Sequence, residues 1–374
     1  DGLILRPLRS VAVSVPGKLI LMGEHAVVYG RPALAAAIDL RLTVHLAPAP
    51  TAGDVIHLDL PGLPHAEATS WAAVRAHARA ARESWEAYNA EPGPERFRQV
   101  RGEDPAHLVK VALGEAAAAL GEEVSPAIAV RVESALPVGS GFGSSAATAT
   151  GVVAAYLLFR GACGGEDLGR NERIRGIVQE AERRQHGLPS GIDGATVLRG
   201  GLLWARRLEA GGLEIERVPL RSPLLTRFRV YDTGTPAETT GAVVAAVRHR
   251  RDQDSERHER LLHRIETATR GFRDELEREE GDPARFQELI RDAEACLEEL
   301  GVVPPEVAAL VRKIEDAGGA AKISGAGALT GPGAGSLLVY HPDPEWISGW
   351  SFLRPFPFHP VQLGAEGLRL ETDA

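Results

Sequence analysis

With 374 residues, of which 44% are hydrophobic and 25% charged, the chain has the makeup of an ordinary globular protein, long enough for two lobes around a large core. A net charge of −9 argues against a nucleic-acid partner, and two cysteines, Cys163 and Cys296, rule out a disulfide framework. No unbroken apolar run reaches about eighteen residues, so no membrane span is expected; the opening Asp1 to Arg6 shows no leader pattern, which makes the cytoplasm the expected compartment.

In chain order, Val11 to Val15 alternates apolar with small residues and predicts a short strand leading into Pro16-Gly17. Leu40, Leu42, Val44 and Leu46 mark a second strand within 33–49. From Ala66 to Leu120, alanine-rich runs with Trp71, Val74 and Ala78 at helical spacing predict helix, broken at Glu91-Pro-Gly-Pro94. A strand over 127–136 feeds a glycine-rich stretch, and an apolar helical run follows to Leu158. Residues 171–184 read as helix, and 200–206, 213–218 and 227–231 as strands. Residues 238–315 read as mostly helix with breaks at Gly281-Asp-Pro283 and 301–305, and the charge run Arg248 to Arg260 as a solvated helix face. A second glycine-rich turn and a strand, Ser336 to Val339, close the pattern. Strands and helices in this mixed order favour α+β over a doubly wound sheet.

The most informative stretch is Pro137-Val-Gly-Ser-Gly-Phe-Gly-Ser-Ser-Ala-Ala147, with three glycines and three serines between a strand and a helix. Glycines let backbone approach a ligand closely, and a helix N-terminus aims free N–H groups and a positive dipole end at it, so the arrangement favours phosphate. A P-loop would need Lys after its last glycine, where Ser144 stands; a dinucleotide fingerprint would need glycine at the sixth position from Gly139, again Ser144. Hydroxyls opening such a helix can cap it or ligate the Mg²⁺ of a nucleotide.

This stretch resembles the ATP-binding loop of the GHMP kinases. Val15-Pro-Gly-Lys-Leu-Ile-Leu-Met-Gly-Glu-His-Ala-Val-Val-Tyr-Gly30 resembles that family's first motif, and Ala321-Lys-Ile-Ser-Gly-Ala-Gly327 its third, in the same order. The resemblance implies a two-lobed GHMP kinase fold: a ribosomal-S5-like N-terminal lobe (1–220) with the ATP loop and catalytic aspartate, and a ferredoxin-like C-terminal lobe (221–374). It implies ATP contacts from Pro137, Gly139, Ser140, Gly141, Gly143, Ser144, Ser145, Ala146, Gly325, Ala326 and Gly327. Gln185-His-Gly-Leu-Pro-Ser-Gly-Ile-Asp193 looks like the catalytic-aspartate loop in its mevalonate kinase form, which makes Asp193 the base or hydroxyl-orienting carboxylate, with Lys18 beside it. Ser145 and Glu182 would hold Mg²⁺, and Lys18, Glu24, His25 and Asp193 would meet the acceptor.

Gly23-Glu24-His25-Ala-Val-Val-Tyr-Gly30 also matches the mevalonate kinases rather than the galactokinases, so the implied reaction is ATP-dependent phosphorylation of the primary hydroxyl of mevalonate. The alternatives are a kinase for phosphomevalonate or a sugar, a decarboxylase of phosphorylated mevalonate, and a ligand sensor without turnover. Two departures stand out. The third motif continues into a longer Ala328-Leu-Thr-Gly-Pro-Gly-Ala-Gly335, and the lysine expected within 231–240 reads as Gly234, so an acceptor carboxylate would miss that charge unless Arg or Lys arrives from the helical insert. Oligomeric state stays open, a homodimer included.

Overall fold

The computed structural model describes residues 9–91, 93–101, 103–137, 139–209 and 211–371; the opening residues read for a leader and Val138 of the glycine loop lie outside them. Strands β1 (Val11–Met22), β2 (Ala33–Pro48), β3 (Ile56–Leu60), β4 (His65–Thr69), β5 (Ile128–Ser134), β6 (Leu202–Arg207), β7 (Leu213–Val218) and β12 (Arg369–Glu371) share one sheet. Its main path runs β12-β1-β2-β5-β3-β4, with β6 joined to the far end of β2 and β7 to β6. A second, antiparallel sheet, β11-β8-β10-β9, is built from β8 (Phe228–Asp232), β9 (Ala320–Ile323), β10 (Ser336–Tyr340) and β11 (Phe358–His359).

The helices of two turns or more are α1 (Trp71–Ala90), α2 (Pro94–Arg101), α3 (His107–Ala119), α4 (Ser144–Phe159), α5 (Glu172–His186), α6 (Ile192–Arg199), α7 (Thr240–Gln253), α8 (Ser255–Glu277), α9 (Pro283–Leu300) and α10 (Pro305–Asp316). None is long and apolar enough to cross a membrane. Helix α4 is apolar on every side, which suits it only to the interior, and it packs against β1 and β2 in the main core with Val152, Val153, Tyr156 and Leu157 buried. Asn171 caps α5 by accepting from the Arg173 and Ile174 amides at 3.0 Å each, which fixes where the helix carrying Glu182 begins.

Two sequence expectations need correction, and one element had no expectation. Residues 65–69 are not the start of the helical insert but the second arm of a hairpin with β3; their alanines suit a helix, and the ladder to Ile56–Leu60 overrides that preference. The strand expected at 11–15 runs on to Met22, because the register shifts between Pro16 and Gly17 and a bulge absorbs the proline. The late segment 369–371, too short to show a pattern, returns to the first sheet beside β1.

Candidate active site

The bulge in β1 sets the site. At Gly17 a β-carbon would lie 2.5 Å from Leu136 and 2.8 Å from the Phe142 carbonyl, so only glycine lets the glycine loop lie against the strand. The next amide, Lys18, donates to that carbonyl at 2.9 Å. Gly143 then caps α4 in the left-handed region (φ 76°), with the Lys18 stem where a side chain at 143 would stand. The first-turn amides of Ser144, Ser145 and Ala146 have no intrahelical acceptor by geometry, and these residues line a cavity of about 510 Å³ with Gly139, Gly141 and Gly143. The loop is tied to the second sheet: Ser140 donates its hydroxyl proton to Asp232, and the Ser336 amide donates to the Ser140 carbonyl at 3.0 Å.

Gly325, Ala326 and Gly327 line the same cavity. The lengthened stretch 328–335 folds back onto 232–240: Gly335 donates to the Gly234 carbonyl at 2.8 Å, and Glu238 accepts from the Leu329 amide at 2.9 Å. Gly335 and Thr235 thereby join the cavity wall.

Asp193 stands in the first turn of α6, and its carboxylate pairs with the Lys18 ammonium at 3.1 Å; the lysine side chain is 5% exposed and the aspartate 38%. Ser145 donates to Glu182 at 2.8 Å, and the carboxylate is buried. Burial pushes the Glu182 carboxyl above its usual range, as does the negative charge of Asp193, against the pull of His186, Ser145 and Lys18. His186 reaches Ser145 Oγ at 3.0 Å through Nε2; since the serine proton goes to Glu182, the imidazole is the donor. A single buried carboxylate beside a hydroxyl in the wall of this cavity is a donor set that suits a hard, water-retaining cation.

A second cavity, about 130 Å³, lies on the other side of Asp193, and Ile20, Glu182, His186, Thr240, Gly325 and Ala326 line both. Glu24 and His25 line this smaller one, but each is also engaged with the third motif. Glu24 forms a buried ion pair with Lys322, and His25 Nε2 donates to the Ala326 carbonyl at 2.8 Å. Burial pushes the His25 imidazole down to about 4, so the ring is neutral at pH 7 and holds a positive φ of 59°.

This burial has a pH signature. Between about pH 6.5 and 4 the unfolded chain protonates His25 while the folded chain does not, so the residue's contribution to stability falls as pH drops through that window, by on the order of 3 kcal/mol. His25→Gln, which keeps a donor for Ala326, is expected to lose less stability than the native chain over that interval in urea unfolding at a series of pH values. Parallel pH slopes would contradict it.

The sequence did not point to Arg248 or Arg175, which bring positive charge to the smaller cavity, or to Tyr88, the insert's contribution to it. Arg248 opens the run read as a solvated face. Much of that run is solvated, but Arg248 is half-buried because α7 turns its first three turns toward the cavity, where Thr240, Gly241, Val244 and Ala245 accompany it. His186 was visible only as a letter of the aspartate loop.

Two family models match the chain: the GHMP kinases N terminal domain over 107–201, which contains the glycine loop and Asp193, and the GHMP kinases C terminal over 272–329. The Bos taurus mevalonate kinase is 31% identical, with 97% of this chain and 95% of that protein aligned. The Aeropyrum pernix mevalonate kinase is 30% identical over 85% of this chain and 86% of its own. The crystal structure of the L. major mevalonate kinase in complex with R-mevalonate superposes with a TM-score of 0.64 at 21% identity, covering 92% of this chain and 91% of that one.

Proposed function

The chain belongs to the GHMP kinase superfamily, on its mevalonate kinase branch, and from that footing we propose that it transfers the γ-phosphoryl group of ATP to the primary hydroxyl of mevalonate. The observation that carries the reading is the Lys18–Asp193 pair at the junction of the two cavities, one built of helix N-terminus and glycines, the other of apolar walls with arginines. Phosphoryl transfer is mostly a matter of placing two groups in line and stabilising spread negative charge, and each requirement has a residue here.

In this reading ATP lies in the larger cavity with its phosphates on the amides at the start of α4. Ser145 and Glu182 would hold Mg²⁺, which neutralises charge on the phosphates when bound. The acceptor hydroxyl points at Asp193 from the smaller cavity. Lys18 pairs with the Asp193 carboxylate at 3.1 Å; that carboxylate orients the hydroxyl and takes its proton late, while the ammonium faces the transferring group.

Mevalonate carries a carboxylate that needs a cation. Arg248 supplies it from α7, a different source from the helical insert. Arg248→Gln is expected to raise the KM for mevalonate about thirty-fold or more while changing kcat and the KM for ATP much less, since a charge-assisted hydrogen bond to a non-reacting group is uniform binding. A kcat loss at unchanged KM would remove Arg248 from this role.

The reaction itself is tested by coupled ADP release with Mg·ATP against mevalonate, phosphomevalonate, galactose and homoserine. Turnover on mevalonate with little on the others is expected. Preference for another acceptor would keep the phosphotransfer chemistry and discard the substrate.

A further inference from the structure

The helical insert α1–α3 reaches the two cavities only through Tyr88 in the wall of the smaller and Phe97 in that of the larger, yet it holds the end of α5. The last carbonyls of a helix have no intrahelical donors and must find others. Here two of the acceptors at the end of α5 are met from the insert. Trp85 of α1 donates its indole N–H to the Gly187 carbonyl at 2.6 Å, and His107 of α3 reaches the Arg184 carbonyl at 3.1 Å through Nε2. The Arg184 guanidinium stacks over the Trp85 ring at 4.7 Å, with Glu115 of α3 at 3.8 Å and Glu180 at 2.8 Å. Just beyond, Leu188 packs into a separate apolar cluster with Trp85, Tyr88, Phe97 and Val100, all four from α1 and α2.

The segment gripped in this way carries His186, donor to the Ser145 hydroxyl, and runs directly through Pro189, Ser190 and Gly191 into Asp193. Gly187 and Gly191 both have positive φ, and their own backbone gives little stiffness to the connection. We propose that the insert is a brace for the catalytic loop, and that Trp85 is a positioning residue which, by holding the Gly187 carbonyl, fixes His186 and Asp193 against Ser145 and Lys18. The inference rests on the phosphotransfer reading for its consequence in turnover, but its structural half stands apart from any substrate.

The test compares two identical chemical changes in the same helix. Trp85→Phe keeps a ring and deletes the N–H donor to Gly187. Trp71→Phe deletes a donor to the Pro126 carbonyl at 2.7 Å, at the other end of α1 and in a fully buried ring. Two readouts are taken below both melting temperatures: kcat at saturating Mg·ATP and mevalonate, and amide hydrogen exchange over 183–193. Trp85→Phe is expected to lower kcat about ten-fold or more with little change in either KM, and to speed exchange over 183–193 about ten-fold. Trp71→Phe is expected to lower the Tm without either effect.

Equal kcat for the two variants, or exchange over 183–193 as slow in Trp85→Phe as in the native chain, overturns the proposal. Failure of Trp85→Phe to fold while Trp71→Phe folds also overturns it, since the half-buried indole would then be holding the lobe rather than the loop. Should both fail, His107→Phe, which removes the donor to Arg184, is read against the same two expectations. Exchange is followed without substrate, so an inactive native chain would refute the substrate reading and leave the brace to be decided by exchange alone.

Discussion

Asp193→Asn is expected to turn over mevalonate about a thousand-fold more slowly than the native chain, or worse, while binding ATP within a factor of about three. The amide keeps the shape of the carboxylate but can neither take the acceptor's proton nor orient its hydroxyl with a full charge, and positioned groups of this kind contribute about 10²- to 10⁴-fold. ATP affinity is spared because the larger cavity is built of loop and helix backbone, with Asp193 only at its edge. Stability should change little: Asp193 is more than a third exposed, and water weakens its pairing with Lys18. Steady-state kinetics with equilibrium dialysis of ATP checks both halves. An Asn variant with turnover within ten-fold of native would show that Asp193 has no part in the chemistry.

Lys18→Met should be nearly as damaging, with kcat down about a hundred- to a thousand-fold. The Lys18 ammonium is almost fully shielded from water, where a fixed charge acts more strongly on developing negative charge than it would in solvent. Methionine preserves the stem that fills the space beside Gly143, so the glycine loop should keep its place. Because Lys18 and Asp193 serve one event, their losses should not add: Lys18→Met/Asp193→Asn is expected within about ten-fold of the slower single variant. Losses that multiply would mean that the two residues act independently, and that the 3.1 Å pair has no joint role.

The legible part of this molecule was the part that had to meet a ligand through backbone. Pro16-Gly17-Lys18, the alternating glycines of 139–143 and the Pro-Ser-Gly before Asp193 are local solutions to close approach, written in consecutive residues. The structure gathers Lys18, Ser145, Glu182 and Asp193 within one site from four separate segments. Hidden from the sequence were contacts made by ordinary-looking residues on distant elements. Arg248 is one cation in a dense charge run, and only the orientation of α7 distinguishes it. Lys322 looked like part of a glycine turn, whereas its burial against Glu24 joins β9 to the first motif across almost the whole chain. Beneath them Glu294 accepts from the Ile323 amide at 3.0 Å, its carboxyl pushed up to about 8 by burial, with no motif to announce it. Long-range pairing of this kind leaves no local spacing to detect.

The most direct test of the account is the position of the transferred phosphate. The native chain is incubated with Mg·ATP and mevalonate and the products are followed by phosphorus NMR with proton correlation, Asp193→Asn alongside. The account predicts one new phosphomonoester signal coupled to the two protons of the terminal methylene, formed with ADP in equal amounts and absent from the variant over the same interval. ADP formed without that ester, an ester at another carbon, or equal product from Asp193→Asn would contradict it.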